Sequence, residues 1–164
     1  MCVVIDADTF SEISDDSDKD FEPLRNWISQ ERHTVIHGGS EYAKQLSRHS
    51  KFLNYLMELN RAGNPPHKLD TDEVNVTEAL LKQKFVSVRY NDHHIAAILF
   101  VSGCRVVSSH DGGFHRLIQD CCSHKGRSAI LRDKPCLMIN RPRIYQYEAH
   151  KSFLGHRSVS RCCV

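Results

Sequence analysis

No run of about eighteen apolar residues occurs in this sequence, so it offers no candidate for a membrane-spanning helix. It contains no C-x-x-C pair and no H-E-x-x-H motif, which removes the usual zinc spacings. The opening stretch MCVVIDADTF has no basic leader and no apolar core, and it meets an acid at its sixth position. A secretory signal is therefore not expected. The seven cysteines are odd in number and include the adjacent pairs Cys121–Cys122 and Cys162–Cys163. With no export signal, they are expected to be reduced thiols of a cytoplasmic protein, mostly small core fillers. The final cysteines lack C-a-a-X spacing and are assigned no role. Internal repeats and low-complexity segments are also missing. The net charge of +2 is too small by itself to announce a nucleic-acid binder.

What is present is enough apolar residue, 40% of 164, to build one packed domain without staples. The charge is unevenly spread. Asp6 to Glu22 holds eight acids against Lys19, whereas Arg116 to Arg161 holds ten Lys and Arg against three acids.

Hydrophobic periodicity predicts the elements. Cys2–Ile5 is a short β-branched run ending at Asp6, and it suits a strand buried on both faces. Phe21–Gln30 places Leu24, Trp27 and Ile28 at helical spacing behind Pro23. Thr34–Ile36 reads as a second strand. Gly38–Gly39 breaks the chain before a helix, capped by Ser40 and running to about Asn60, with Leu46, Leu53 and Leu56 inward. Thr71 or Asp72 caps another helix through Leu81. Phe85–Val88 reads as a short strand or an extended link. Asp92 opens an apolar stretch, Ile95–Val101, that Gly103 closes as a helix C-terminus. Arg105–Ser108 is a strand, Asp111–Gly113 a turn, and Phe114, Leu117 and Ile118 begin a helix. A last strand is expected near 137–140, with Ile144–Tyr147 extended again. Alternating strands and helices make the class α/β with a mainly parallel sheet.

Parallel α/β sheets bind ligands at the carboxyl ends of their strands. Asp6 ends the first strand, Glu41 follows the second, Asp92 opens the helix leading into a later strand, and Asp111 follows that strand. Each has an ordinary alternative as a turn former, a helix cap or a first-turn acid. Glu58 or Glu78 are alternatives to Glu41. Four carboxylates gathered in one pocket cannot all stay ionised without a cation among them. Such hard oxygen donors suit Mg²⁺ or Mn²⁺, and the basic half of the chain suits a phosphate backbone.

The stretch DHHIAAILFVSGCRVVSSHDGGFHRL, residues 92–117, resembles the second half of a PIN domain. The matching features are Asp92 opening an apolar helix, then Gly103, the strand residues Val106–Val107, Ser109, Asp111 and Phe114. CVVIDADTF resembles the family's first strand with its leading acid, and RPRIYQYEAHKSFLG resembles a basic final segment of stand-alone prokaryotic members. The resemblance covers roughly residues 2–154. It implies a three-layer α/β/α fold over 1–154, with 155–164 a short polar tail. It also implies a metal-dependent nuclease acting mostly on RNA, with Asp6, Glu41, Asp92 and Asp111 holding Mg²⁺ or Mn²⁺. Ser109 would orient a water or a neighbouring acid. Two positions depart from the family pattern. Asp8 stands where Asn or Ser is common and is a further candidate ligand, and Gly113 stands where an additional acid is common.

Expected RNA contacts are His110, Arg116, Arg89, Arg141, Arg143 and Lys151, with Tyr145 and Tyr147 available for stacking. The family analogy implies a toxin of a toxin–antitoxin pair or an antiviral effector. A neutralising antitoxin or defence partner is then expected, and self-association stays open. A second resemblance competes. Asp6-Ala7-Asp8-Thr9 is similar to the first motif of haloacid-dehalogenase-like phosphatases, in which Asp6 would be the nucleophile and Asp8 the general acid. That family needs a downstream Lys and an acid pair; Lys134 is present, and no matching pair follows it. An inactive scaffold or RNA-binding module is the third reading.

Overall fold

Four consecutive apolar residues, Cys2–Ile5, form strand β1, and every one of them is buried. Side chains alternate between the two faces of a strand, so both faces of the sheet are covered at β1. The computed structural model describes residues 2–30, 33–104, 106–121 and 143–145. The expectations for 137–140, Arg141, Lys151 and the tail 155–164 lie outside them.

After β1 come a 3-10 turn, Ala7–Thr9, and helices α1 (Phe10–Ile13) and α2 (Glu22–Ile28). Strand β2 (Thr34–His37) leads to α3 (Ser40–Leu46) and α4 (Ser50–Arg61). Then follow β3 (His67–Lys68), α5 (Thr71–Lys84), α6 (His93–Ser102), β4 (Val106–Ser108), α7 (Gly112–Cys121) and β5 (Arg143–Tyr145). The sheet order is β3-β2-β1-β4-β5, and every pairing is parallel. Val4 lies opposite Ile36 on one side and Val107 on the other. The architecture is the expected three-layer α/β/α arrangement.

Local chemistry explains the departures from the sequence reading. The helix expected from Ser40 to Asn60 is two helices, because the chain leaves helical geometry at His49. Leu56 is buried and Leu46, at the end of α3, packs against the core as expected, while in α4 Phe52 and Leu59 take the inward places rather than Leu53. Ser40 does not cap α3. Gly39, at φ 79°, occupies the cap position, and the amide of Ser40 donates to Asn75 Oδ1 of α5 at 2.9 Å. A Cβ at Gly39 would lie 2.6 Å from Val74 Cγ1, so this turn needs glycine for space as well as for its positive φ. Asp70, not Thr71 or Asp72, caps α5 by accepting from the Glu73 amide at 2.9 Å. Residues 85–88 are an irregular link rather than a strand. The short β3 escaped notice because His67 and Lys68 are exposed and carry no apolar pattern.

Helix α6 is buried around nearly its whole circumference, as a helix at the centre of a fold must be when it is apolar on all sides. Gly103 closes it in the left-handed conformation at φ 67°, as expected. At the other end of the core Phe10 stacks on Phe52 at 4.1 Å and meets Tyr42 edge-on at 5.7 Å. The buried Tyr42 hydroxyl donates to the Ile5 carbonyl at 2.7 Å, pinning α3 to the end of β1. Cys104 and Cys121 are buried, as expected of core fillers. Cys2 is disulfide-bonded, which corrects the expectation of reduced thiols throughout. No described helix is long and apolar enough to cross a membrane.

Candidate active site

β1 is central, and the chain leaves it toward β2 and β3 before crossing back to β4 on its other side. The strand order therefore reverses between β1 and β4, where a parallel sheet opens a crevice at its carboxyl edge. Asp6 leaves β1 at that edge, and Ser109-His110-Asp111 leave β4 beside it. The Asp6 amide donates to the Ser108 carbonyl at 2.9 Å, so the two chain segments stay together one residue past the strands. Thr9 reinforces the joint. Its hydroxyl donates to the Asp6 carbonyl at 3.0 Å and receives the Ser108 hydroxyl at 3.1 Å.

Asp6 is buried, and both of its carboxylate oxygens are held. Oδ1 accepts from the Ala7 amide and Oδ2 from the Ser109 hydroxyl, each at 2.7 Å. Ser109 is buried and also receives the Asp111 amide at 3.1 Å. It thus links the two acids. Asp8 accepts from the His110 amide at 2.8 Å, which places its carboxylate on the β4 side of the crevice.

Asp111 serves two purposes. Its Oδ1 accepts from the amides of Gly113 and Phe114 and so caps α7, while Oδ2 accepts from the Asn91 side chain. Asp92 stands at the N-cap position of α6, where its carbonyl accepts from the Ala96 amide at 3.2 Å, but its side chain does not cap. An N-cap residue is normally extended and accepts from the first turn. Asp92 has φ 53° and ψ 37°, and its side chain makes no cap bond. It is the one non-glycine residue with positive φ among the described residues. That conformation is costly for a side chain and tends to mark functional sites.

The electrostatics join these residues into one cluster. Burial, then the charge of Asp8, pushes Asp6 up to about 7 against the opposing bonds from Ser109 and Ala7. Burial first, then the charge of Asp6 and a hydrogen bond with Asp111, pushes Asp92 up to about 8. Asp8 is raised as well, mainly by burial. Asp111 moves the other way: burial raises it, but its bonds from Asp92, Gly113, Phe114 and Asn91 outweigh that and lower it. The proton shared between Asp92 and Asp111 therefore belongs on Asp92, because Asp111 already has three other donors. The cluster takes up positive charge, which is the behaviour required of carboxylates crowded together.

Four aspartates are brought together: Asp6, Asp8, Asp92 and Asp111. Glu41 reaches the same sheet edge, in the first turn of α3, but its carboxylate pairs with Lys44 at 3.7 Å. It does not appear among the charges that weigh most on the four aspartates. Its charge acts on His94 instead. Of the two alternatives to Glu41, Glu58 is exposed on α4, and Glu78 is buried against Lys82 at 2.6 Å. The fourth carboxylate of the cluster is Asp8. His94 is a buried histidine bonded to Gln45 at 2.9 Å, and burial pushes it down to about 4, so it remains neutral.

No family model matches this chain. No curated protein and no solved structure matches it significantly.

As a donor set, four carboxylates with a serine and an asparagine orienting two of them fit Mg²⁺ or Mn²⁺, which take hard oxygen ligands. Among the described residues, no group of three or more His, Cys, Asp or Glu side chains stands ready around a single metal position. The fit therefore lies in the chemistry of the donors and in their appetite for positive charge.

The expected substrate contacts fare unevenly. Arg89 and Arg116 are exposed, on the link before α6 and on α7. The His110 ring is turned to Glu12, with Nε2 at 3.2 Å from Oε1, and meets Phe21 edge-on at 5.9 Å. Arg143 lies in β5, paired with Val106. Asn91 was missed by sequence reasoning. Its only signal is its place immediately before Asp92. Gly113 also gains a reason. A Cβ there would lie 2.9 Å from the Arg89 carbonyl oxygen and 2.1 Å from Asn91 Oδ1. Any larger side chain at this position would have no room.

Proposed function

We propose that this chain is a Mg²⁺- or Mn²⁺-dependent nuclease that hydrolyses phosphodiester bonds of RNA in the manner of PIN domains. One observation carries the reading: aspartates from three separate segments share one crevice and hold Asp6 near 7 and Asp92 near 8. A cluster that needs positive charge this strongly suits a cation-assisted reaction on an anionic substrate.

Asp6, Asp8, Asp92 and Asp111 would hold the ion. When bound, a divalent cation would neutralise the phosphodiester's charge and acidify a water. The protein's own contribution is positioning. Ser109 fixes the Asp6 Oδ2 atom, Asn91 and the first amides of α7 fix Asp111, and the left-handed backbone at residue 92 aims that carboxylate. Exposed Arg89 and Arg116 supply phosphate contacts beside the acids. A cytoplasmic setting, and a neutralising antitoxin or defence partner, belong to the same proposal by family analogy.

The test is cleavage of end-labelled RNA by the purified chain in Mn²⁺, with Asp6→Ala and Asp92→Asn alongside. Cleavage should fall about a hundredfold or more in each variant, the scale of losing one electrostatic stabiliser. Binding without cleavage by the wild type would favour a scaffold. A trapped phosphoaspartate at Asp6 would instead make the chain a phosphatase.

A further inference from the structure

A second feature lies outside the acidic cluster, beside α1. A cavity of about 180 Å³ opens between α1 and the α3–α4 junction. The stacked rings of Phe10 and Phe52 form its apolar wall. Arg48, His49 and Lys51 bring three basic side chains to its rim, and Ser11, Ser14 and Ser50 bring hydroxyls. Arg48 makes no ion pair among the described residues, and the acid whose charge Lys51 meets, Asp15, is fully exposed. Positive charge, hydroxyls and an apolar flank around an open cavity are the chemistry that receives a phosphate group beside a sugar or base.

We propose that this cavity is a phosphate subsite, which seats a backbone phosphate of the RNA strand away from the scissile bond. The proposal rests on the nuclease reading and adds where the strand runs. Ser11 follows Asp8 by three residues, so their Cα atoms are at most about 11 Å apart. A strand leaving the acidic crevice therefore reaches this cavity without a long detour. Arg48 forms the bidentate contact, Lys51 adds point charge, and Ser11 and Ser50 donate hydroxyl bonds. The acidic crevice repels the substrate's backbone, and the cavity offsets this by holding the strand one step away.

The experiment is fluorescence anisotropy of a labelled single-stranded RNA oligonucleotide on the full chain carrying Asp92→Asn, across a range of NaCl. Arg48→Gln with Lys51→Gln should weaken binding at least tenfold. The salt slope should fall by about 0.7 for the one phosphate lost. A paired control, Lys44→Gln with Lys82→Gln, removes the same charge elsewhere and should leave both quantities within twofold. Equal weakening by the two pairs, or none by the first, overturns the subsite. Inorganic phosphate in competition separates the sources: displacement of RNA only in the chain with Arg48 and Lys51 supports a phosphate seat, and equal displacement from the Gln pair overturns it. Thermal melting of each variant checks folding, and Arg48→Lys, which keeps the charge but loses the fork, should show an intermediate affinity. If the wild type binds through Arg48 but cuts no RNA, the nuclease reading fails and the subsite stands. If RNA is cut and its binding ignores Arg48 and Lys51, the reverse holds.

Discussion

Asp92 shows how a single residue can carry both strain and chemistry. Asparagine tolerates left-handed backbone better than other side chains, whereas alanine there costs about 1–2 kcal/mol. Asp92→Asn and Asp92→Ala should both abolish cleavage, yet urea denaturation should find only the alanine variant less stable than wild type. Equal stabilities would mean that the φ of 53° is not strained. The raised pKa values of Asp6 and Asp92 make a second prediction. Each group binds its proton more tightly folded than unfolded, with folded values of about 7 and 8 against 3.8. The stability they contribute is complete below about pH 4 and is lost as pH rises through 7 and 8. With a chelator present, the unfolding free energy should fall over that window, and the Asp6→Asn, Asp92→Asn double variant should flatten the fall. A wild-type profile that rises across the window would exclude the crowding. Sequence showed Asp6, Asp92 and Asp111 because each stands at a strand end or opens an apolar helix, and it offered Asp8 only as a further candidate. Asp8 and Glu41 exchanged importance because side-chain direction at one sheet edge has no sequence signal: Glu41 turns to Lys44, and Asp8 turns to the His110 amide.

At the scale of elements, the site depends on how closely the link of residues 85–92 lies on the start of α7. Gly113 allows that approach. Gly113→Ala should cost about 1–3 kcal/mol of stability, the range of an overpacked contact. It should also lower cleavage by displacing Asn91 and Asp92, although no charged group is changed. Circular dichroism melting and the RNA assay check this together, and full activity in the variant would refute it. Tyr42→Phe tests the other wall. Loss of the bond to the Ile5 carbonyl leaves a buried acceptor and should cost about 1–2 kcal/mol. The strands β1, β2 and β4 and the helices α2, α5 and α6 were legible because apolar period and glycine punctuation agree there. The break at His49 and the two-residue β3 were not, because both are set by packing against neighbours and neither interrupts the local pattern.

For the whole molecule, a net charge of +2 conceals a strongly acidic crevice and separate basic clusters. Mn²⁺ should raise the melting temperature at pH 8 by mass action on the folded state, and Asp6→Asn with Asp92→Asn should abolish the rise. The same increment in wild type and variant would show binding elsewhere. The bond between Ser109 and Asp6 spans 103 residues of sequence. Contacts this distant form late, because the loop must close before they contribute. During synthesis, a chain that has not yet exposed residue 111 carries Asp6 and Asp8 but lacks the partners that orient them. The acidic cluster is thus completed only after residue 111 has left the ribosome.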